Sequence, residues 1–320
     1  MHSFSILEPG MLTTVQALGF PHHVEMGVPE GGAADPLSLI VGNRVLGNFD
    51  SAPALECTLT GATVRFQEVA TIAITGGETY VQLEGASSRT LQPWNPHRVN
   101  AGDVVRMGPI TRGCRTYLCV AGGIAVRSTL FGDSTNLRAG FGGFHGRALR
   151  AGDTLDFDPA EARPVNRVMD ADRFSPQLLD RRTLRAVELP LADRFDPDGA
   201  DRFWRTEFTV SNQSDRTGIR LEGASIPTLC AGRMISEGMT PGAIQVPENG
   251  QPIVLGVDHP TTGGYPVLAC IASVDLAILG QLRPRDKVRF EPVSVSDAHR
   301  LLRAHYQQLG KFPKREVPIR

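Results

Sequence analysis

The sequence predicts a mainly β chain made of two related β-barrel lobes in tandem, with a few short helices. The first observation is that Gly (34) and Pro (23) divide the 320 residues into many short β-type runs. Short runs between turn signals are typical of barrels and sandwiches rather than of strand–helix–strand sheets. The second observation is a turn-and-strand pattern that occurs three times. The third is the scarcity of helix signals.

The predicted strands follow the chain at intervals. Each alternates apolar and polar residues or is apolar throughout, over about five to seven residues, which is an ordinary strand length. They are ATIAIT (70–75), TYVQLE (79–84), RTYLCVA (115–121), TEFTVS (206–211), AIQVP (243–247), PIVLGV (252–257) and KVRFEPV (287–293).

Helices are predicted at only a few places. Asp35 and Pro36 are the residue types preferred at an N-cap and a first helical position, and the apolar stripe after them continues to Gly47. The same kinds of signal predict three further short helices: one after Ser175, one capped by Asp275 and running through Leu282, and one capped by Ser296 and stopped by Gly310.

A turn containing an aspartate, followed by an alternating strand, recurs along the chain. The copies are RVNAGDVVRM (98–107), ALRAGDTLDF (148–157) and QLRPRDKVRF (281–290). We expect each aspartate (Asp103, Asp153 and Asp286) to accept a hydrogen bond from the backbone two residues on, which fixes the entry to the strand.

The spacing of this pattern predicts the domain organisation. The last two copies lie about 130 residues apart, and each closes a β-rich stretch. The first lobe is therefore predicted over 1–160 and the second, with a C-terminal helix, over 205–320. The segment 161–204 is dense in Asp, Arg and Pro and is predicted to be a connector.

Composition argues against several function classes. Lys plus Arg is 33 and Asp plus Glu is 34, which argues against a nucleic-acid or anionic-membrane surface. No run approaches the roughly 18 apolar residues of a spanning helix, and MHSFSILEPG lacks the features of a secretory signal. Five scattered cysteines without C-x-x-C spacing predict buried free thiols and a cytoplasmic location.

The sequence lacks the common motifs for metal binding, nucleotide binding and nucleophilic catalysis. The eight histidines lack the H-x-x-x-H spacing that places two ligands on one helix face, so we predict no metal in this chain. There is no P-loop, no G-x-S-x-G elbow and no catalytic-cysteine signature.

The segment DHPTTGGY (258–265) is the candidate ligand loop. Two threonine hydroxyls stand beside two glycines between two apolar runs. Adjacent glycines are expected to take positive φ and to turn successive N–H groups toward an anion. The alternative is a plain glycine turn between two strands.

Six ordered segments carry a family resemblance. They are TTVQALG (13–19), GVPEGGAAD (27–35), STNLRAGFGG (134–143), VSNQSDRTGIRLEG (210–223), SEGMTPGAIQVP (236–247) and DHPTTGGYP (258–266). From about residue 8 to residue 293 the chain resembles the biotin-dependent carboxyltransferase, or allophanate hydrolase subunit 2-like, family. That family includes the C-type subunit of the bacterial ATP-dependent 5-oxoprolinase, a Kip-type antagonist of a kinase inhibitor, and half of the urea carboxylase carboxyltransferase region.

The resemblance implies a fold of two cyclophilin-like lobes and an enzyme subunit that acts on an amide, lactam or urea group. The first expectation is ATP-dependent conversion of 5-oxoproline to glutamate, with ATP used by the assembled complex. The implied partners are a smaller Kip inhibitor-like, or allophanate hydrolase subunit 1-like, subunit and a LamB-type third subunit. The alternatives are carboxyl transfer to urea or a related acceptor from carboxybiotin on a separate protein, and a Kip-type regulator without catalysis.

Four positions depart from the family pattern. Ala17 and Asn136 stand where Asp is usual, Phe20 stands where Arg is usual, and Pro260 replaces a Gln. Pro260 supplies neither an amide side chain nor a backbone N–H. These departures indicate either an altered specificity or a loss of chemistry.

The candidate site residues fall into two groups. The residues expected to move a proton are Glu56, Glu237 and Tyr265. The residues expected to bind substrate are Gln16, Asp35, Arg138, Ser214, Gln245, His259, Thr261, Thr262, Gly263 and Gly264. Arg138 is expected to clamp an anion, and Gln245 to face away from the core.

Four of these residues have a structural alternative. Asp35 can serve as a helix cap, and Glu56 can sit in a salt bridge to an arginine. Gln16 can be a satisfied structural amide, and Tyr265 can pack in the core.

Overall fold

The fold is taken from a computed structural model that describes residues 2–19, 23–86, 88–127, 132–159, 179–189, 194–229 and 234–310. The chain divides into two compact units. The first comprises Met1–Phe20, Gly31–Leu179 and Gln308–Arg320, and the second comprises Pro21–Glu30 and Asp180–Gln307.

The first unit is built on a ten-stranded sheet. Its main path runs β2-β3-β8-β4-β1-β10-β9, and β5 pairs with β6, β7 and β8. The strands are β1 (His2–Glu8), β2 (Leu12–Gln16), β3 (Ala54–Thr58), β4 (Thr63–Phe66), β5 (Ala70–Glu84), β6 (Arg89–Thr90), β7 (Pro96–Val99), β8 (Val104–Val120), β9 (Ile124–Ala125) and β10 (Thr154–Phe157). Phe4, Phe66 and Phe157 are fully buried at its centre.

The second unit contains a closed barrel in the order β11-β18-β15-β16-β13-β12-β19 and a separate two-stranded β14–β17 ladder. The strands are β11 (Thr183–Glu188), β12 (Phe208–Val210), β13 (Gly218–Glu222), β14 (Glu237–Gly238), β15 (Ala243–Gln245), β16 (Ile253–Leu255), β17 (Thr262–Gly263), β18 (Val267–Ile271) and β19 (Lys287–Pro292). Phe203 and Phe290 stack in its core, with ring centroids 4.8 Å apart. The prediction of a mainly β chain with two barrel-like sheets is confirmed.

Four α-helices lie within the described residues: α1 (Pro36–Val45), α2 (Pro197–Arg205), α3 (Leu276–Gly280) and α4 (Val295–Gly310). Two 3₁₀ turns, Val24–Met26 and Ser273–Asp275, complete the set. Asp35 caps α1 as predicted, since its side chain accepts from the backbone N–H of Ser38. The helix predicted after Ser175 lies outside the described residues.

Three details of the helix prediction are wrong. The cap of α4 is Ser294 rather than Ser296, because the Ser294 hydroxyl accepts from the Asp297 N–H at 3.1 Å. Asp275 does not cap α3 with its side chain, because its carboxylate binds Arg185 instead. Helix α2 was not predicted, although Asp196 before Pro197 is the signal that had identified α1.

The three aspartate turns share one geometry, which differs from the predicted one. Each carboxylate accepts from the backbone N–H three residues before it, not two residues after it. The distances are 2.8 Å for Asn100 to Asp103, 2.7 Å for Arg150 to Asp153 and 3.1 Å for Arg283 to Asp286. The residue before each aspartate is left-handed, with φ of 86° at Gly102, 91° at Gly152 and 74° at Arg285.

Candidate functional site

A buried polar row crosses four strands of the first unit. Thr14 pairs with Glu56, Glu56 with Tyr117, and Tyr117 with Thr75. Residues opposite one another on neighbouring strands project from the same face of a sheet. All four side chains are buried, so each requires a partner inside the protein.

The centre of this row is a short hydrogen bond from the Tyr117 hydroxyl to Glu56 Oε2, 2.6 Å long. The same carboxylate oxygen accepts from the Ala34 backbone N–H at 2.9 Å, and Arg115 Nε lies 3.5 Å from the other oxygen. Burial, together with the charges of Glu56 and Asp35, holds the pKa of Tyr117 well above its ordinary value. Glu56 therefore has both an arginine partner and a phenol donor.

The start of α1 is attached to this row. The Asp35 backbone N–H donates to the Tyr117 hydroxyl at 2.9 Å, and Thr75 donates to the Ser38 carbonyl at 2.7 Å. Asp35 is fully buried, and both of its carboxylate oxygens bind Ser38. The row thus brings Glu56 and Asp35 together and fixes the GAAD segment against the sheet.

Gln16 lies on the same face, two residues after Thr14. Its Nε2 donates to the Thr14 hydroxyl at 3.0 Å and to the Thr135 carbonyl at 3.1 Å. Because the Thr135 carbonyl accepts only, this assigns the side-chain orientation. Its buried Oε1 has no hydrogen-bond partner among the described residues. The Gln16 amide nitrogen is therefore held by two hydrogen bonds, whereas its oxygen is held by none from the described residues.

The glycine-rich segment after Thr135 leaves Arg138 at the surface. Arg138 is exposed, and Asn136 is buried. The Asn136 Oδ1 accepts from the Ala139 N–H at 2.9 Å, so it closes the turn on which Arg138 stands. An aspartate would make the same bond with its carboxylate.

In the second unit the β14–β17 ladder brings Glu237 opposite Gly263 and Gly238 opposite Thr262. Arg194 binds both carboxylate oxygens of Glu237, at 2.7 and 3.0 Å. These hydrogen bonds lower the pKa of Glu237, so it stays ionised. Thr262 in this ladder is exposed, and Thr261 just before it is partly buried.

The expectation of an anion-binding nest at the two glycines is wrong. Neither Gly263 nor Gly264 has a positive φ, because the segment continues as β17 instead of turning. Glycine at 263 permits a close approach, because a Cβ there would lie 2.4 Å from Nε2 of Gln245.

Gln245, which alternation predicts to face away from the core side of its strand, is buried. Its Nε2 atom lies 3.3 Å from the sulfur of Met239. Met239 and Gly263 cover Gln245. The alternation of apolar and polar residues along β15 does not predict this cover.

His259 is also buried, beside an ion pair. Its Nδ1 lies 2.8 Å from the Pro260 carbonyl oxygen, so Nδ1 carries a proton and donates to that oxygen. The buried Nε2 atom has no hydrogen-bond partner within the part of the chain that the structure describes. The preceding Asp258 receives two hydrogen bonds from Arg216, at 2.7 and 3.1 Å, which fixes the start of the loop.

A cavity of about 390 Å³ opens on the outside of the barrel. Tyr265 forms part of its wall and is 41% exposed. The polar side chains that line it are Ser211, Gln213, Arg220, Glu222, Asn249, Gln251 and Tyr265. This volume suits a small molecule.

The structure divides the predicted residues into separate groups. Glu56, Asp35 and Gln16 share the buried row, and Glu237, Gln245 and Gly263 meet at the β14–β17 ladder. Ser214 is not part of the cavity wall. Its hydroxyl accepts from the Arg220 backbone N–H at 3.0 Å.

Sequence reasoning missed Tyr117, Arg220 and Glu222. The signal for the last two was present, since GIRLE alternates and places both outward on β13.

Membrane-spanning helices and metal centres are not found in the described part of the chain. No helix there has the length and apolar character needed to cross a membrane. No group of three or more His, Cys, Asp or Glu side chains there is placed to hold a metal ion. Cys57 and Cys119 are buried free thiols.

Comparison with known proteins decides the family. Residues 26–292 match the model of the carboxyltransferase domain, subdomain A and B. The chain belongs to this family. It is 36% identical over 314 residues to the C-type subunit of 5-oxoprolinase from Escherichia coli strain K12, covering 96% of each chain. It is 34% identical to the corresponding 5-oxoprolinase subunit of Haemophilus influenzae, covering 93% of this chain and 94% of that one.

A solved structure of this family has the same fold. The urea amidolyase of K. lactis superposes with a TM-score of 0.87 at 29% identity. The match covers 99% of this chain and 20% of that one.

Proposed function

We propose that this chain is the C-type subunit of an ATP-dependent 5-oxoprolinase, which converts 5-oxoproline to glutamate together with a smaller partner subunit. The observation that carries the proposal is the 36% identity to such a 5-oxoprolinase subunit over nearly all of both chains. The urea amidolyase match, in contrast, takes in only a fifth of a much longer protein.

The chemistry of lactam opening makes two demands on the site. The carbonyl oxygen gains negative charge, and the ring nitrogen gains a proton. For the charge we propose hydrogen-bond donors from the threonines of the 261–264 segment. For the proton we propose Tyr265, whose exposed side chain lines the cavity and makes no hydrogen bond with the described residues.

The two glutamates differ in what they can contribute. Glu237 is held ionised by Arg194, so its role is that of an acceptor. Glu56 is buried among Tyr117, Ala34 and Arg115. We therefore assign Glu56 a positioning role, which holds Asp35 and the start of α1 in place.

The remaining components belong to the assembled enzyme. We propose that ATP is bound in a complex with a Kip inhibitor-like smaller subunit and a LamB-type third subunit, in the cytoplasm. The absence of a P-loop in this sequence is compatible with ATP binding that depends on the other subunits. The chain alone is then expected to show no turnover.

The test is reconstitution. The chain is co-expressed with both candidate partners, and release of phosphate and formation of glutamate are measured with and without 5-oxoproline. Turnover that requires all subunits and 5-oxoproline supports the proposal. Tyr265→Phe should lower turnover, whereas Tyr80→Phe, at another exposed tyrosine, should not. Full activity of the lone chain would contradict the shared-enzyme proposal.

A second candidate function is carboxyl transfer from carboxybiotin to urea or a related acceptor. The family description and the urea amidolyase fold favour it. Carboxylation of urea by the chain, its partner and a biotinylated carrier, without 5-oxoproline hydrolysis, would replace the first proposal. Tight binding of the partner with no turnover on any substrate would instead support a Kip-type regulator.

A further inference from the structure

Arg220 and Glu222 are two exposed side chains of opposite charge on β13. They stand two residues apart on β13, so both project outward from the barrel with their Cα atoms roughly 6.5 Å apart. Neither side chain makes an ion pair or a hydrogen bond with the described residues. Most arginines in this unit do form such pairs, including Arg185, Arg194 and Arg216.

Both side chains line the cavity of about 390 Å³, together with Tyr265. Strand pairing on both sides of β13 fixes their backbone. Arg220 pairs with Ile253 on β16, and Glu222 pairs with Thr209 on β12. Ser214 fixes it further by accepting from the Arg220 N–H. A cation and an anion are thus held at a set spacing on one wall of a small-molecule cavity.

We propose that this wall binds an α-amino-acid carboxylate and the N–H group on the same carbon, with Arg220 binding the carboxylate and Glu222 accepting from the nitrogen. The inference rests on the proposed function and names the substrate end that it recognises. A guanidinium suits a carboxylate because it can donate two parallel hydrogen bonds. In 5-oxoproline the carboxylate and the lactam N–H are attached to one carbon, and in glutamate the ammonium replaces that N–H.

The two charges also discriminate among the candidate substrates. A purely anionic ligand is repelled by Glu222. Neutral urea satisfies Glu222 with its N–H groups but leaves Arg220 facing a carbonyl only. A lactam without a carboxylate, such as 2-pyrrolidinone, leaves Arg220 without an anion. Only a ligand that carries both groups satisfies both side chains.

The test is calorimetric titration of the full chain, alone and in the reconstituted complex, with L-5-oxoproline, L-glutamate, 2-pyrrolidinone and urea. We expect 5-oxoproline to bind about tenfold to a hundredfold more tightly than 2-pyrrolidinone, the range of one charge-assisted hydrogen-bonded contact. Arg220→Met should abolish that difference by weakening 5-oxoproline alone. Glu222→Gln should weaken glutamate more than 5-oxoproline.

Arg65→Met is the matched control, because Arg65 is an exposed strand arginine of the first unit. It should leave all four affinities unchanged. An unchanged ratio in Arg220→Met, or no saturable binding by the wild type in either form, overturns the inference.

The kinetic arm separates this inference from the proposed function. If the complex hydrolyses 5-oxoproline and Arg220→Met does not raise KM, the function stands and the site is wrong. If 5-oxoproline binds through Arg220 but is not hydrolysed, the site stands and the function is wrong.

Discussion

Gly263 lies directly against the side-chain amide of Gln245: a Cβ atom on Gly263 would be 2.4 Å from Nε2 of Gln245 and 3.1 Å from a carbon of Met239. Such a separation is well inside van der Waals contact, and Gln245 is buried beneath the ladder. The glycine therefore serves close packing rather than a left-handed turn.

Gly263→Ala should destabilise the chain by about 1–3 kcal/mol, the usual cost of overpacking. Gly238→Ala, across the same ladder, should be nearly neutral because no atom of the described residues lies within 4 Å of the added methyl group. Urea unfolding measures both. In the double variant Gly263→Ala with Gln245→Ala, the combined loss should be smaller than the sum of the two single losses. Simple additivity would show that the two residues do not interact.

Arg285→Gly should stabilise the second unit by about 1 kcal/mol, because Arg285 has a φ of 74° that costs an ordinary residue but not glycine. Gly152→Ala at the equivalent turn should destabilise by a similar amount, although no atom lies within 4 Å of the new methyl group. Thermal unfolding measures both. A loss of stability in Arg285→Gly would mean that the arginine side chain contributes more than its backbone strain costs.

Asp275→Asn should destabilise the chain by about 3–5 kcal/mol, because it breaks a buried pair from one side. Asp275 is fully buried and accepts from the backbone N–H and the guanidinium of Arg185. Glu207→Gln, which breaks an exposed pair with Arg289, should cost at most about 1 kcal/mol. Equal losses in urea unfolding would contradict the role assigned to burial.

The free energy of unfolding should fall in alkali. Burial raises the pKa of Cys57 from 9.0 to about 11 and that of Cys119 to about 12, and the pKa of Tyr117 is raised above 10.0. A raised folded pKa means that stability is complete below the unfolded value and is lost as pH rises above it. Urea midpoints should therefore be flat to about pH 9 and then decline. Tyr117→Phe should make the decline shallower above about pH 10, whereas the exposed Tyr80→Phe should leave it unchanged.

Much of the fold could be predicted because its signals are local. Asp35 and Pro36 are adjacent residues that predict an N-cap and a first helical position, and α1 begins there. Alternating runs such as KVRFEP place β19 within one residue of its bounds. The aspartate turns were located correctly, since the chemistry of each turn lies within four residues.

What could not be predicted depends on residues distant in sequence. Nothing near Glu56 shows that Tyr117, 61 residues later, donates to it. Nothing near Gln245 shows that the 261–264 segment covers it. The positive φ expected at the two glycines was wrong because strand pairing with Glu237 overrides what glycine permits locally.

The alternation along β13 has a consequence for how such a protein can change. Ile219 and Leu221 are buried, while the exposed Arg220 and Glu222 line the cavity. A single five-residue strand thus keeps the determinants of folding and of ligand charge on opposite sides. Substitutions at 220 and 222 are therefore expected to change the charges at the cavity with a smaller effect on the free energy of unfolding than substitutions at 219 and 221.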